Sequence, residues 1–268
     1  MLEDLKAAVV DANKLLETSG LVKLTWGNVS QIDRETGILG IKPSGVPYQD
    51  LKPDDIVLVD LEGKQVEGSL NPSSDTKTHL ELYRAFTDIG GVTHTHSIYA
   101  TMFSQAGCEI PCLGTTHADH FFGSVPVCRA LTDEEVEEDY EANTGKAIVE
   151  RFVGIKPMEM PAVLQLYHAP FTWGKHGMDS VKNSIALETC AQIALGTLQL
   201  QPNMGAIPHH ILMKHYQRKH GPDAYYGQRW AFTLVSSHRT HLLSSSLYGR
   251  LAPQTWFYPQ PELDGSLL

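Results

Sequence analysis

The sequence has no Cys-x-x-Cys pair, no long apolar run and no surplus of positive charge, and each absence removes a class of function. Its four cysteines, Cys108, Cys112, Cys128 and Cys190, are too scattered for a zinc ribbon or a dithiol redox site. In a reducing cytosol they read as free thiols or core packing. No stretch approaches the roughly 20 apolar residues that span a bilayer, so no membrane partner is expected. The N-terminus, Met1-Leu2-Glu3-Asp4-Leu5-Lys6, lacks the basic-then-apolar layout of a signal peptide, and the expected place of work is the cytoplasm. The formal net charge is −10 over 268 residues, with a pI near 5.7. A protein that grips a phosphate backbone is usually basic, which argues against nucleic acid. A small anionic substrate needs positive potential in one pocket only and passes this test. Hydrophobic content of 42% with 19% charged residues is ordinary for a folded chain, and the length suits one main domain.

What is present is an alternation of helical and extended patterns. Leu5, Val9, Ala12 and Leu16 recur near helical spacing, and Gly20 supplies a stop. Short extended stretches follow, Leu21–Ser30 and Gly37–Ile41, then a buried strand over Asp55–Asp60. A helix is expected from Asp75 through Phe86, a strand over Val92–His96 and a helix around Ala100. Thr132 is placed to cap an acidic helix over Asp133–Arg151. A strand over Ala162–Tyr167 and helices over Asp179–Leu200 and Ile207–Lys219 complete the pattern. Such alternation points to an α/β domain with helices on both faces of a sheet. From Arg229 the texture changes: two of the four tryptophans, no lysine, the run Ser244-Ser245-Ser246 and no clear period. Residues 1–228 therefore read as the domain and 229–268 as an extension of unknown order.

His94-Thr95-His96 closes an apolar stretch that reads as a strand. Side chains two apart on a strand project from one face, so both imidazoles can reach one ion. That supplies two thirds of a three-histidine zinc site with an open fourth position. His168, at the end of the stretch Val163–Tyr167, is the best third ligand if the two strands run parallel to the same sheet edge. The bland alternative is ordinary surface or core histidine, of which the chain has thirteen. His79, His176, His238 and His241 lack supporting context and read as structural or surface.

Asn71-Pro72-Ser73-Ser74-Asp75 precedes a predicted helix, where hydroxyls and free backbone N–H groups suit a phosphate. Gly27-Asn28 and Lys42-Pro43-Ser44-Gly45 are turns that could add amide donors and a cation to the same group. Taken singly, each segment reads as plain N-capping or an ordinary loop. Asp75 has two readings: a carboxylate turned toward the metal, or a favourable charge on the helix dipole.

These segments together resemble the class II aldolase family. The matching stretches include Leu24-Thr25-Trp26-Gly27-Asn28-Val29-Ser30, Ile41-Lys42-Pro43-Ser44-Gly45-Val46, Pro72-Ser73-Ser74-Asp75-Thr76 and His94-Thr95-His96-Ser97. They continue with Gly114-Thr115-Thr116-His117-Ala118-Asp119, Pro170-Phe171-Thr172-Trp173-Gly174-Lys175, Lys214-His215-Tyr216, Arg218-Lys219-His220-Gly221 and Ala224-Tyr225-Tyr226-Gly227-Gln228. The resemblance runs almost continuously over residues 1–228. It implies a three-layer α/β/α fold around a central, mostly antiparallel or mixed sheet. It also implies a homotetramer with active sites at subunit interfaces, and one Zn²⁺ or other divalent ion per subunit held by His94, His96 and His168, with Asp75 on or beside it. The implied sugar-phosphate pocket comprises Gly27, Asn28, Lys42, Ser44, Gly45, Ser73 and Ser74. Asp119 and Tyr226 match an acid/base pair, and His215 and Arg218 lie in the matching C-terminal segment.

The motifs near the C-terminus tilt the implied reaction from aldol cleavage to epimerisation at C4, converting L-ribulose 5-phosphate to D-xylulose 5-phosphate. C4 bears no acidic hydrogen, so cleavage and re-addition of the C3–C4 bond is the expected route, with Asp119 and Tyr226 handling the C4 hydroxyl proton on opposite sides. The alternatives are an aldolase that releases its fragments and a non-catalytic interaction module on the same scaffold. Two features depart from the family pattern: His120, where an aromatic is usual, and the residues beyond Gln228.

Overall fold

Helix α1 (Leu2–Thr18) buries Leu5, Val9, Ala12 and Leu16 along one face, and Gly20 follows in the left-handed conformation at φ +77°. The computed structural model describes residues 2–225, which fall within one unit spanning Met1–Gly227. Seven strands form one sheet among the described residues: β1 (Asn28–Asp33), β2 (Ile38–Ile41), β3 (Val57–Asp60), β4 (Gln65–Glu67), β5 (Gly91–His94), β6 (Ala162–Leu164) and β7 (Pro170–Gly174). Their order is β4-β3-β2-β1-β5-β7-β6, and every pair is antiparallel. The helices are α2 (Thr76–Ala85), α3 (Ile98–Ala106), α4 (Thr115–Ala118), α5 (Asp133–Arg151), α6 (Gly177–Leu200) and α7 (His209–His220).

The period-2 alternation of each strand divides the sheet between two helical layers. On one face Ile32, Leu39, Ile41, Val57, Val59, Val92 and Trp173 join Leu80 and Tyr83 of α2 and Ile148 of α5 in the main core. On the other, Val29 packs with Ala12 and Leu16 of α1 and Val181 of α6, while Leu58 meets Leu5 and Val9. Polar residues stitch this second face. Asn13, fully buried on α1, donates to the carbonyls of Val9 and Val29 and accepts from Val29 N at 2.9 Å. Thr93 and Thr172 exchange hydrogen bonds with Ser180 and Ser184 of α6. Every buried polar atom in this seam thus has a partner, which removes the desolvation penalty an orphan would carry.

The three-layer architecture and the helices follow the sequence pattern closely, and Thr132 forms the expected cap: its hydroxyl accepts from Glu135 N while Glu135 reaches back. Three strand expectations are corrected, the first being Leu21–Ser30, where the strand begins only at Asn28 and runs on to Asp33. The strand expected over Val92–His96 ends at His94, and the one expected over Ala162–Tyr167 ends at Leu164. The parallel pairing that was to bring His168 to His94 does not occur. Residues 165–169 instead turn the chain back into β7, with Gln165 N bonded to Ala169 O at 3.1 Å and Tyr167 at φ +62°. α5 is also broken: Asp139 takes φ −167°, ψ 89° within it.

Candidate active site

β5 carries His94 to its last residue, and the chain leaves the sheet there, bringing His96 alongside. β7 is the strand next to β5, with His94 opposite Phe171. The β6–β7 turn is therefore beside the end of β5, and that turn presents His168. The three imidazoles form a near-equilateral triangle, with ring centroids 4.9, 4.9 and 5.0 Å apart. Their nitrogens lie within 4.8 Å of one another, the one such group among the described residues. His94 Nδ1 donates to Pro170 O at 3.0 Å. A carbonyl can only accept, so this bond fixes the tautomer and leaves the His94 Nε2 lone pair facing the cluster. Phe171 stacks on the same ring at 4.2 Å.

These rings are neutral. Burial lowers His94 to about 3, with His96 adding to the effect, and lowers His168 to about 4 with His94 and His96 adding. His96 is lowered by burial and partly restored by Asp75. Neutral imidazole is the metal-binding form. Two nitrogens sharing a tetrahedral ion at bond lengths of about 2.0–2.1 Å sit about 3.3 Å apart; His94 Nε2 and His96 Nε2 are 3.2 Å apart. The donor set suits a divalent metal ion.

The triangle lines a cavity of about 580 Å³. Gly27, Asn28, Lys42, Ser44, Gly45, Ser73, Ser74 and Asp75 line the same cavity, so the segments expected to bind phosphate converge here. Gly27 is required by space as well as by conformation. At φ +87°, a Cβ there would sit 2.7 Å from His94 O. Asn28 Nδ2 donates to Asp75 Oδ2 at 2.6 Å and to Ser73 Oγ at 3.0 Å. Because a carboxylate only accepts, this fixes the amide orientation and leaves buried Asn28 Oδ1 without a protein partner among the described residues. Asp75 does not cap α2 with its side chain, and it lies outside the three-histidine group. Lys42 is almost completely buried, and burial pulls its amine down to about 8. One expectation fails in detail. The N–H groups of Ser44 and Ser73 are not free for an anion, because they bond to Asn71 O and Lys42 O and pair the two loops.

Asp119 is elsewhere. It does not line this cavity; it is held by α7, with Arg218 Nε and Nη2 at 2.9 and 2.5 Å and His215 Nδ1 at 3.1 Å. Burial pushes its carboxyl up, but hydrogen bonds from Arg218 and His215 outweigh that and hold it below the usual carboxylate range. His120 is kept neutral, lowered to about 4 by burial with Lys219 adding. Tyr226, His238 and His241 lie outside the described residues. His79 is a fully buried core histidine bonded to Ser30 Oγ at 2.7 Å, and His176 caps α6 by accepting from Asp179 N. Sequence reasoning missed Trp26, Tyr140 and Glu141, which also line the cavity. For Tyr140 and Glu141 the available signal is one aromatic set among four acids in Glu137-Glu138-Asp139-Tyr140-Glu141, where a solvated helical face needs none.

The family described as Class II Aldolase and Adducin N-terminal domain matches residues 7–195. The chain belongs to the class II aldolase family. Among curated members, the L-ribulose-5-phosphate 4-epimerases UlaF of Salmonella typhi and of Salmonella paratyphi A (strain ATCC 9150 / SARB42) are each 51% identical over 228 residues. Those matches span 85% of this chain and 100% of the relative. Among solved structures, an L-fuculose 1-phosphate aldolase is 26% identical, with a TM-score of 0.69 over 80% of this chain and 95% of that one.

Proposed function

We propose that the chain is a cytoplasmic, zinc-dependent isomerase that interconverts L-ribulose 5-phosphate and D-xylulose 5-phosphate. The observation that carries this reading is one cavity lined both by the three-histidine group and by the serine, glycine and lysine loops. The 51% identity to proteins named L-ribulose-5-phosphate 4-epimerase supports the choice of reaction over aldol cleavage. Four unpaired cysteines fit a reducing compartment, and no helix among the described residues is long and apolar enough to cross a membrane.

His94, His96 and His168 would hold the ion, with Asp75 beside them. When bound, the ion supplies Lewis-acid stabilisation of negative charge developing on the oxygens of the C2–C3 fragment. Loss of the C4 hydroxyl proton lets the C3–C4 bond break, giving glycolaldehyde phosphate and a three-carbon enediolate. Rotation of the aldehyde and return of the electron pair to its other face invert C4. Ser44, Ser74, Gly45 and Lys42 would anchor the phosphate and keep the aldehyde from escaping between the two steps.

Asp119 and Tyr226 would exchange the C4 hydroxyl proton, with His215 and Arg218 placing Asp119. Because Asp119 does not line the cavity of its own chain, the reading assigns the acid/base pair to a neighbouring subunit's site in a homotetramer. Residues 1–228 would form the catalytic domain and 229–268 a dispensable extension, in keeping with relatives matched end to end over 228 residues.

Product analysis on L-ribulose 5-phosphate tests the reaction: D-xylulose 5-phosphate is expected, and accumulation of free glycolaldehyde phosphate would make the enzyme an aldolase. Mixing His96→Asn with Asp119→Asn subunits should restore part of the activity that each lacks alone. No recovery on subunit exchange would put both groups in one chain's site. A chain ended at residue 228 should turn over as the full chain does; its inactivity would overturn the domain assignment.

A further inference from the structure

The break in α5 is firmly built. Asp139 leaves the helix at φ −167°, ψ 89° and its Oδ1 accepts from Ala142 N at 3.2 Å, so it acts as the N-cap of a second helical segment beginning at Tyr140. Lys77 of α2 donates to Asp139 Oδ2 at 2.6 Å, and Thr78 Oγ1 donates to Glu141 O at 2.6 Å. Asn143 Nδ2 reaches across the break to Glu135 O at 2.8 Å. These bonds fasten the break to α2, the helix that starts at the cavity rim. An unbroken helix would continue the exposed acidic face of residues 133–138; the break turns Tyr140 into the cavity, where its hydroxyl meets His168 Nδ1 at 3.3 Å.

We propose that Tyr140 is a positioning residue for His168, set in place by the Asp139 break and its attachment to α2. The proposal rests on the three-histidine centre described above. With Nδ1 engaged by Tyr140, Nε2 is the His168 nitrogen left for the ion. The ligand tautomer then carries its proton on Nδ1 and donates it to Tyr140 Oη, as His94 donates to Pro170 O. The two bonds differ in kind. Pro170 O belongs to the sheet and cannot move independently, whereas His168 sits in a five-residue turn between β6 and β7 and takes its orientation from a side chain. Removing that side-chain acceptor frees the one ligand whose backbone is a turn. Losing such a hydrogen-bond partner typically weakens metal affinity about 10–100-fold.

The test compares wild type, Tyr140→Phe and Asp139→Ala, with Tyr167→Phe as a control for the exposed neighbouring tyrosine. Zinc affinity is read by chelator competition, and the visible spectrum of the cobalt(II)-loaded protein reports the ligand field. Tyr140→Phe is expected to bind zinc about tenfold more weakly and to shift the cobalt bands. Asp139→Ala should do likewise with the tyrosine intact, and Tyr167→Phe should match wild type. Unchanged affinity and spectrum in Tyr140→Phe would overturn the proposal; an unchanged Asp139→Ala alone would overturn the role of the break. A wild-type protein that takes up no metal would remove the three-histidine centre itself, and this inference with it.

Discussion

Replacing Gly27 by alanine places a methyl group 2.7 Å from His94 O and 3.0 Å from Val22 Cγ1, at a backbone φ of +87°. Two costs arise. A side chain in the left-handed region costs about 1–2 kcal/mol, and forcing a methyl into filled space adds about 1–3 kcal/mol. Gly45 separates them. It also has positive φ, +72°, but an added Cβ there meets nothing within 4 Å. Gly45→Ala should therefore carry the conformational cost alone, and Gly27→Ala should unfold at lower denaturant by a further 2 kcal/mol or so, about 4–8 °C in Tm for a domain of this size. The close neighbour is backbone, paired through Asn28 opposite His94, so relief requires moving the strand end that carries two histidines. Gly27→Ala should then also bind metal more weakly, while Gly45→Ala binds it normally. Urea unfolding of both variants, with zinc affinity measured in parallel, checks the argument. Equal stability of the two would refute it.

Other perturbations have equally definite expectations. Arg218→Gln removes the bidentate partner of buried Asp119 while His215 remains, and should cost about 2–3 kcal/mol at pH 7. Asp119 is depressed in the folded state, so its contribution is present above the unfolded carboxyl pKa of about 4 and is lost as pH falls through the lower folded value. The gap between wild type and variant should therefore close in acid, measured by urea unfolding across pH. Glu188 of α6 accepts from Tyr99 N at 2.9 Å and Ala100 N at 3.0 Å, supplying the first turn of α3 with the acceptor its own Ser97 does not provide. Glu188→Leu should cost about 2 kcal/mol in the same assay. His176→Ala removes the α6 cap and should cost about 1 kcal/mol without altering turnover.

Much of this was readable from local rules, and the failures have one cause. The Thr132 cap, the α1 stripe and Gly20 depend on neighbours within a few residues, and the structure reproduces each of them. The convergence of His94 and His96 was legible from their closeness in sequence, although the strand ends at His94 and His96 follows it outside the sheet. His168 is different. Its place depends on β7 inserting between β5 and β6 and on five residues reversing the chain, neither of which a strand-like stretch of Val163-Leu164-Gln165-Leu166-Tyr167 discloses. Tyr140 was hidden for the same reason: an acid-rich helix gives no local sign that Asp139 will leave it and bond to a lysine of α2. Ser44 and Ser73 show the limit from the other side. Their loops were legible as turns, but the pairing that consumes their N–H groups is tertiary.

Whether the three-histidine centre performs C4 epimerisation is tested by one titration. Protein stripped of metal by a chelator is restored with increasing zinc while formation of D-xylulose 5-phosphate from L-ribulose 5-phosphate is followed. Stripped protein should show no turnover, activity should rise in proportion to bound zinc up to one ion per chain, and His96→Asn should show no rise. Full turnover in the stripped enzyme, or zinc-restored activity in His96→Asn equal to wild type, would contradict that role.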